Sequence, residues 1–232
     1  MLNSNEFQDE LFGNPKKFLM DPVHGAITFF THEGRVIDHA LFQRLRFISQ
    51  TDITSFVFPG ATHTRFQHSL GTMHVAGRLF QSIIRSYLLD ARSTREHPIT
   101  KLQINSIQYF YSCLRLAALM HDLGHFPFSH QFEDSIIAKN LLNSDDAFEK
   151  LWMGHDWRLY YNNAPTKLEH EYYSVRCAYR ILDDLINDKS CEWIGIEAID
   201  VLGIMEKTDN CKPSEKFVIA TIDLYINHDN YF

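Results

Sequence analysis

The hydrophobic residues of this chain recur mostly at steps of three and four positions, with polar residues between them. This spacing places apolar side chains on one face of a helix, and it predicts a mainly α-helical protein. The clearest stripe runs through Ile104, Ile107, Tyr111, Leu114 and Ala118. The predicted helices cover residues 38–50, a long segment from 68 onward, 101–121, 135–142, 168–186 and a segment within 195–210.

Other patterns separate these helices. Residues 1–20 are polar and predict an irregular N-terminal arm, and the Asp-Pro-Val-His-Gly run at 21–25 predicts a turn. The remaining segments are a short extended piece at 26–30, loops at 91–100 and 143–166, and a short apolar segment at 217–226. We therefore predict one domain over residues 21–232, because a chain of this length can bury a single good-sized core.

Charge and composition narrow the classes of function. The net charge is −7 and the pI is about 6.0, which argues against general nucleic-acid binding through a basic surface. A nucleotide substrate remains compatible with this charge, because a few local cationic side chains and a metal ion can hold phosphates. No apolar run reaches the length of a membrane span, and the N-terminus shows no signal peptide. These features predict a cytoplasmic protein.

The four cysteines predict free thiols rather than a disulfide or a zinc–thiolate site. They contain no C-x-x-C pair, and buried or surface thiols are the usual state in a reducing compartment. They are Cys113, Cys177, Cys191 and Cys211.

The most informative segment lies between His121 and His130, where three imidazoles and one carboxylate occur within ten residues. The adjacent His121 and Asp122 can offer a ring nitrogen and a carboxylate oxygen to one divalent cation, a mixture that suits Mn, Fe, Zn, Ni or Mg. The preceding apolar run at 113–120 predicts a buried helix that delivers this pair to an interior site. Gly124 and Pro127 then end the helix.

A structural interpretation competes with this one, because an isolated His-Asp pair is structural in most proteins. His68, considered alone, could equally be a residue of no consequence at a helix N-terminus. It becomes the best further ligand if its helix packs antiparallel to the helix that ends at His121, since the start of one would then lie beside the end of the other.

Five ordered segments resemble one known family, the HD-domain phosphohydrolases, which use an H…HD…D metal set on a helical bundle. Within that family they are most similar to the deoxynucleoside triphosphate triphosphohydrolases. The matching segments lie at residues 21–25, 42–46, 58–71, 121–130 and 169–171, in the family's order. The resemblance implies an HD-domain helical bundle with the metal site between its helices.

The resemblance also implies roles for individual residues. The implied metal ligands are His68, His121 and Asp122; the implied catalytic residues are His125, His130, His170 and Glu133; and the implied substrate-binding residues are Arg65 and Gln50. In this scheme Glu133 orients His170, Arg65 clamps phosphate and Gln50 contacts the deoxyribose. Gln50 and Glu133 could instead be plain surface or capping residues, and a structural role also stays open for Arg65 and His130.

The sequence departs from the family at its fourth metal ligand, an Asp in a D-x-D-R-x-D-Y stretch that this chain lacks. Asp229 is the nearest candidate and Asp223 is the competitor. The chain is therefore expected to be either a fragment or a compact member whose base pocket is reduced or borrowed from another subunit. Thr64 and Gln67 stand where the family usually has Asn and often Glu, which affects the expected nucleotide specificity more than metal binding.

By resemblance, the predicted reaction is metal-dependent hydrolysis of a dNTP to deoxynucleoside and triphosphate, with Mn the favoured metal and a homo-oligomer the expected assembly. One alternative is a different HD enzyme, a nucleotidase or phosphodiesterase. Another is a nucleotide-sensing or scaffolding subunit with weak catalysis that docks onto a protein partner. Spacing alone does not separate a dNTP from another nucleotide.

Overall fold

The computed structural model describes residues 4–94, 99–128, 132, 135–136, 170–189, 193–206 and 212–225. Helices dominate this part of the chain, so the predicted mainly α fold is confirmed. The helices are α1 (Ser4–Phe12), α2 (Thr31–Asp38), α3 (Ala40–Gln43), α4 (Arg65–Thr94), α5 (Lys101–Met120), α6 (His170–Asn187), α7 (Ala198–Glu206) and α8 (Glu215–Tyr225). Short 3-10 turns occupy Arg44–Phe47 and Thr54–Phe56.

A hairpin of two antiparallel strands precedes α2. Strand β1 (Lys17–Asp21) pairs with β2 (Gly25–Phe29) in a register that runs from Lys17 opposite Phe29 to Asp21 opposite Gly25. The Asp21 carboxylate closes the turn by accepting hydrogen bonds from the backbone N–H groups of Val23 and His24. The short extended segment predicted at 26–30 is therefore confirmed, and it forms β2.

Helix α5 is the central element of the described core. Its N-terminus is capped by Thr100, whose hydroxyl accepts from the Gln103 N–H while the Gln103 side chain accepts from the Thr100 N–H. From there α5 packs against α1, α4, α7 and α8. Leu116, Leu119 and Met120 are fully buried, so the C-terminal half of α5 lies in the middle of the core.

A buried ion pair fastens α5 to the segment that contains the hairpin and α2. The Arg115 guanidinium donates to both carboxylate oxygens of Glu33, at 2.6 and 2.8 Å, and to the Thr28 carbonyl at 3.0 Å. Glu33 also accepts from the Phe30 N–H and so closes the first turn of α2. Because both charges are buried, each depends on the other for its stability.

The expectation of irregular structure over residues 1–20 was wrong. This region contains α1 and β1, and Leu11 and Phe12 of α1 are buried against Tyr111 and Ile107 of α5. The sequence pattern hides this packing because the buried apolar residues described in α1 lie at the end of an otherwise mostly polar helix. The division into an arm and a domain at residue 21 stays a prediction.

The single helix predicted over 38–50 was also wrong. Helix α2, which the sequence reasoning missed, ends at Asp38, and His39 then adopts an extended conformation with ψ of 139°. The His39 ring nitrogen Nδ1 accepts from the Leu41 N–H and caps α3, which continues into the 3-10 turn. The predicted helix therefore starts two residues late, after the His39 cap, changes to 3-10 geometry at Arg44 and ends at Phe47, because the Ile48 backbone is extended.

The other helical predictions agree with the structure apart from their ends. Helix α4 begins three residues before His68 and continues to Thr94, into the predicted loop at 91–100. The helices at 101–121, within 168–186 and within 195–210 are confirmed as α5, α6 and α7, and the apolar segment near the C-terminus forms α8. The predicted loop at 143–166 and most of the predicted helix at 135–142 lie outside the described residues.

Two further expectations concern thiols and membranes. Cys113 and Cys177 are buried free thiols, as predicted, whereas the other two cysteines lie outside the described residues. None of the described helices combines the length and the apolar character that a membrane span requires.

Candidate metal centre

The start of α4 and the end of α5 meet at the site that the sequence predicted. His68 lies in the first turn of α4, and His121 directly follows the last residue of α5. Their Nε2 atoms lie 3.3 Å apart. Asp122 completes the group, with Oδ1 3.3 Å from His121 Nε2 and Oδ2 3.8 Å from His68 Nε2. These three residues each offer one ligand atom within 4.8 Å of the others, which is the convergence that a metal ion needs.

The orientation of His121 and the environment of His68 fit metal ligands. The Nδ1 atom of His121 lies 2.8 Å from the Ala118 carbonyl oxygen, which can only accept, so Nδ1 donates this hydrogen bond and Nε2 is the ring nitrogen that faces His68 and Asp122. Burial lowers the pKa of His68, although Asp122 opposes this shift. His68 is therefore neutral near pH 7, and neutral imidazole is the form that coordinates metal.

Asp122 is an ionised carboxylate in a largely buried position. Burial raises its pKa, but the hydrogen bond from His125 and the nearby cationic groups outweigh that effect, so the pKa lies well below its usual range. Its Oδ2 accepts from Arg65 Nη1 at 2.6 Å, and the Arg65 side chain is only 4% exposed. The carboxylate thus presents Oδ1 to His121 and His125, while Oδ2, which lies 3.8 Å from His68 Nε2, is held by a guanidinium.

Helix α4 is positioned by contacts at its first residues. The Arg65 N–H donates to the Ile48 carbonyl at 2.9 Å, and the Thr64 N–H donates to the Gln67 side-chain oxygen at 2.9 Å. Gln67 therefore performs the N-terminal capping for which a Glu is often used at this position of a helix. Because α4 is fixed at its start, His68 is directed toward the end of α5.

The turn that follows α5 is held by two residues whose roles the sequence reasoning missed. The Arg44 guanidinium donates to the carbonyl oxygens of Leu123 and His125. On the other side, the Ser174 hydroxyl accepts from the Gly124 N–H at 2.8 Å in a buried hydrogen bond. The only available signal was the position of Arg44 within a segment that matches the family.

Gly124 allows this turn to approach α6 at backbone distance. A Cβ atom at this position would overlap the His170 carbonyl oxygen and the Ser174 amide nitrogen and would lie 2.7 Å from the Tyr173 carbonyl carbon. The glycine in the segment is thus required for packing between the turn and α6, in addition to the helix-ending role that the sequence suggested.

Close packing of the turn against α6 brings His125 and His170 together. Their rings are stacked, with centroids 3.8 Å apart and planes inclined by 20°. His125 Nε2 also lies 3.5 Å from Asp122 Oδ1, and His170 Nε2 lies 3.3 Å from the exposed carboxylate of Glu171. Two of the predicted catalytic histidines therefore stand beside the predicted metal ligands.

The remaining predicted site residues are less fully placed. Gln50 lies at an isolated β-bridge region before α4, and its backbone N–H donates to the His63 carbonyl at 3.0 Å. Asp223 falls in α8, although its side chain is not described. His130, Glu133 and Asp229 lie outside the described residues, so their assigned roles stay predictions.

A pocket of about 820 Å³ adjoins the metal site. His68 forms part of one wall, the hairpin turn contributes Asp21 and His24, and His63 and Gly71 are among the other lining residues. The volume falls within the range that small-molecule sites occupy. A ligand in this pocket would touch His68 directly.

The HD-domain family model matches residues 65–194, which is more than half of the chain and includes both sides of the metal site. The chain belongs to the HD-domain family. The match thus confirms the family that the five sequence segments predicted.

Several curated relatives extend the comparison of this HD domain. The deoxynucleoside triphosphate triphosphohydrolase SAMHD1 of Bos taurus is 42% identical over 121 residues, which are 52% of this chain and 18% of the relative. The Homo sapiens protein of the same name is 40% identical over 121 residues, which are 52% of this chain and 17% of the relative. A Dictyostelium discoideum homologue is 35% identical over 133 residues, which are 56% of this chain and 23% of the relative. The predicted resemblance is confirmed, and the chain spans about a fifth of the length of these relatives.

Proposed function

We propose that this HD domain is a metal-dependent phosphohydrolase that converts deoxynucleoside triphosphates to deoxynucleosides and intact triphosphate. The observation that carries the proposal is the convergence of His68, His121 and Asp122 within one ligand shell. The names of the relatives support the substrate class. The adjoining pocket has a volume that suits a nucleotide.

The three convergent residues would hold a divalent cation, with Mn favoured among Mn, Fe, Mg, Ni and Zn. When bound, such an ion supplies Lewis-acid polarisation of a phosphate oxygen. Asp229 or Asp223 is our proposed fourth ligand. The donor set of two imidazoles and one carboxylate fits these metals better than a thiolate-preferring one.

The protein's own residues would orient the substrate and move the proton. In the proposed reaction water attacks the α-phosphorus, the bond to the 5′-oxygen breaks, and the departing 5′-oxygen takes up a proton. His170 is partly exposed beside His125, which makes it a suitable proton donor. We further propose that His130 and Glu133 assist this transfer, that Arg65 stabilises phosphate charge and that Gln50 contacts the sugar.

Chromatographic product analysis with Mn and each of the four dNTPs tests the proposal. We expect deoxynucleoside and triphosphate from the wild-type protein and neither product from Asp122→Ala. Release of inorganic phosphate or conversion of a cyclic nucleotide would indicate the nucleotidase or phosphodiesterase alternative. A protein that binds Mn fully and converts no nucleotide would contradict the proposal for this chain and favour the partner-dependent subunit.

Metal binding and assembly can be measured without turnover. We expect Mn to raise the melting temperature of the wild-type protein and to leave that of Asp122→Ala unchanged, since only an intact site binds the ion in the folded state. Light scattering coupled to size exclusion, with and without dNTP, tests the proposed homo-oligomer. A monomer under both conditions would contradict it.

A further inference from the structure

The turn between Asp122 and His125 carries two residues of the proposed site, and tertiary contacts hold its backbone. Arg44 Nη1 donates to the His125 carbonyl at 2.8 Å, and Arg44 Nη2 donates to the Leu123 carbonyl. The two acceptors lie two residues apart, on either side of Gly124. The Arg44 side chain, about eighty positions away in sequence, therefore fixes the carbonyls of Leu123 and His125.

We propose that Arg44 is a positioning residue of the hydrolytic site. Its guanidinium binds two carbonyls of the turn and thereby holds the His125 ring against His170 and Asp122. The inference rests on the proposed function for its kinetic consequence. Its structural consequence, the placement of one ring on another, is independent of the substrate.

The chemistry of the guanidinium explains why an arginine occupies this position. Its planar fork presents several N–H donors in a fixed arrangement, so it can satisfy two carbonyls at once. A lysine ammonium is a point donor on a flexible stem and cannot impose the same geometry. The backbone at Arg44 is itself fixed, because the side chains of the neighbouring Phe42 and Leu45 are fully buried.

The partners of Arg44 distinguish it from an ordinary buried ion pair. Arg115 binds a carboxylate, that of Glu33, at a place where it joins α5 to α2. Among the described residues, the hydrogen bonds of the Arg44 side chain go to neutral backbone carbonyls of the turn itself. Arg44 therefore contributes to the placement of the turn, whereas Arg115 contributes to the packing of helices.

The turn is also held from the opposite side, which makes its position well defined. Ser174 of α6 accepts from the Gly124 N–H, and the Gly124 backbone contacts the backbone of His170. If the Arg44 contacts were lost, the turn would remain attached to α6 at Gly124, yet the carbonyl of His125 would lose its partner. We therefore expect the ring of His125 to move without unfolding of the domain.

The decisive comparison is Arg44→Lys against Arg115→Lys, a matched pair that makes the same change at two partly or wholly buried arginines. For Arg44→Lys we expect kcat to fall by about 100-fold with KM within about threefold of wild type, because misplacement of a catalytic group by about 1 Å has an effect of that order. For Arg115→Lys we expect a lower melting temperature and an unchanged kcat for the folded fraction. Added guanidinium should restore part of the activity of Arg44→Ala.

A spectroscopic measurement separates this inference from the proposed function. In protein with ¹³C-labelled histidine, stacking should shift the ring resonances of His125 and His170 upfield, as assigned with His125→Gln and His170→Gln. We expect Arg44→Lys to abolish these shifts and to leave those of His68 and His121 unchanged. If wild type hydrolyses no nucleotide but this change occurs, the proposed function fails and the positioning role stands.

Three results would overturn the inference. One is a kcat of Arg44→Lys equal to that of wild type. Another is a kcat that falls equally in Arg44→Lys and Arg115→Lys and only in proportion to the folded protein that each variant has lost. The third is an Arg44→Lys spectrum in which the stacked histidine resonances are unmoved.

Discussion

Replacing Gly124 by alanine tests how closely the metal-site turn packs against α6. The added methyl group would overlap the His170 carbonyl oxygen and the Ser174 amide nitrogen and approach the Tyr173 carbonyl carbon to 2.7 Å. All three are backbone atoms of one helix, so rotation of a side chain cannot relieve the contact. The backbone conformation of Gly124 itself lies outside the left-handed region, and the entire effect is therefore steric.

The size of the effect follows from the distance that the helix must move. Normal contact requires α6 or the turn to retreat by about 1.5 Å, and overpacking of a well-filled core typically costs about 1–3 kcal/mol. Since backbone rather than flexible side chain must shift, we expect a loss of about 3 kcal/mol in the free energy of unfolding. The same retreat separates His170 from His125, and it should lower kcat by about 100-fold.

Urea unfolding of the metal-free protein measures the first quantity, and product formation by the folded fraction measures the second. Gly60→Ala is the matched control, because a Cβ atom there meets nothing within 4 Å. We expect that control to unfold within about 0.5 kcal/mol of wild type. An unfolding midpoint of Gly124→Ala equal to that of wild type, with the same slope, would refute the packing of the turn on α6.

Three further predictions concern buried polar groups, each measured by urea unfolding. Ser174→Ala removes the acceptor of the Gly124 N–H and should cost about 1–3 kcal/mol; an unchanged midpoint would contradict that hydrogen bond. Glu33→Gln leaves the Arg115 guanidinium without its counter-charge and should cost about 3–5 kcal/mol. Burial lowers the pKa of His32, so the unfolded chain binds more protons than the folded protein does. With a chelator present, the free energy of unfolding should therefore fall as the pH is lowered from 7 to 5, and that of His32→Gln should fall less steeply.

The convergence of the three candidate metal ligands was predictable because each lies at a recognisable helix end. His121 and Asp122 follow an apolar helical run, and His68 lies near the start of the preceding helix, which runs in the opposite direction. The antiparallel packing needed to join them is confirmed by the 3.3 Å between the two imidazole nitrogens. A short motif at the end of one buried helix and the start of another therefore determines much of the site.

The groups that support the ligands were not predictable in the same way. Arg44 donates to backbone carbonyls of the turn and Ser174 accepts from a backbone N–H, and backbone groups carry no residue type that a pattern could reveal. The start of α3 has a similar origin, because the His39 ring nitrogen that accepts from the Leu41 N–H separates α3 from α2, and apolar periodicity does not reveal such a cap. Sequence patterns identified the chemical groups, whereas tertiary hydrogen bonds determine how rigidly they are held.

The charges of the site indicate the kind of ligand that it favours. The Asp122 carboxylate and the Arg65 guanidinium pair at 2.6 Å, and burial keeps the His68 ring neutral near pH 7. A divalent cation held by the candidate ligands would therefore add positive charge to a site in which the Asp122 carboxylate is already paired with a cation. Under the proposed function, that added charge would attract the phosphates of a nucleotide, and the attraction would be strong in a partly buried site, where charges are screened less than at the surface. We therefore expect phosphate binding to depend on metal loading.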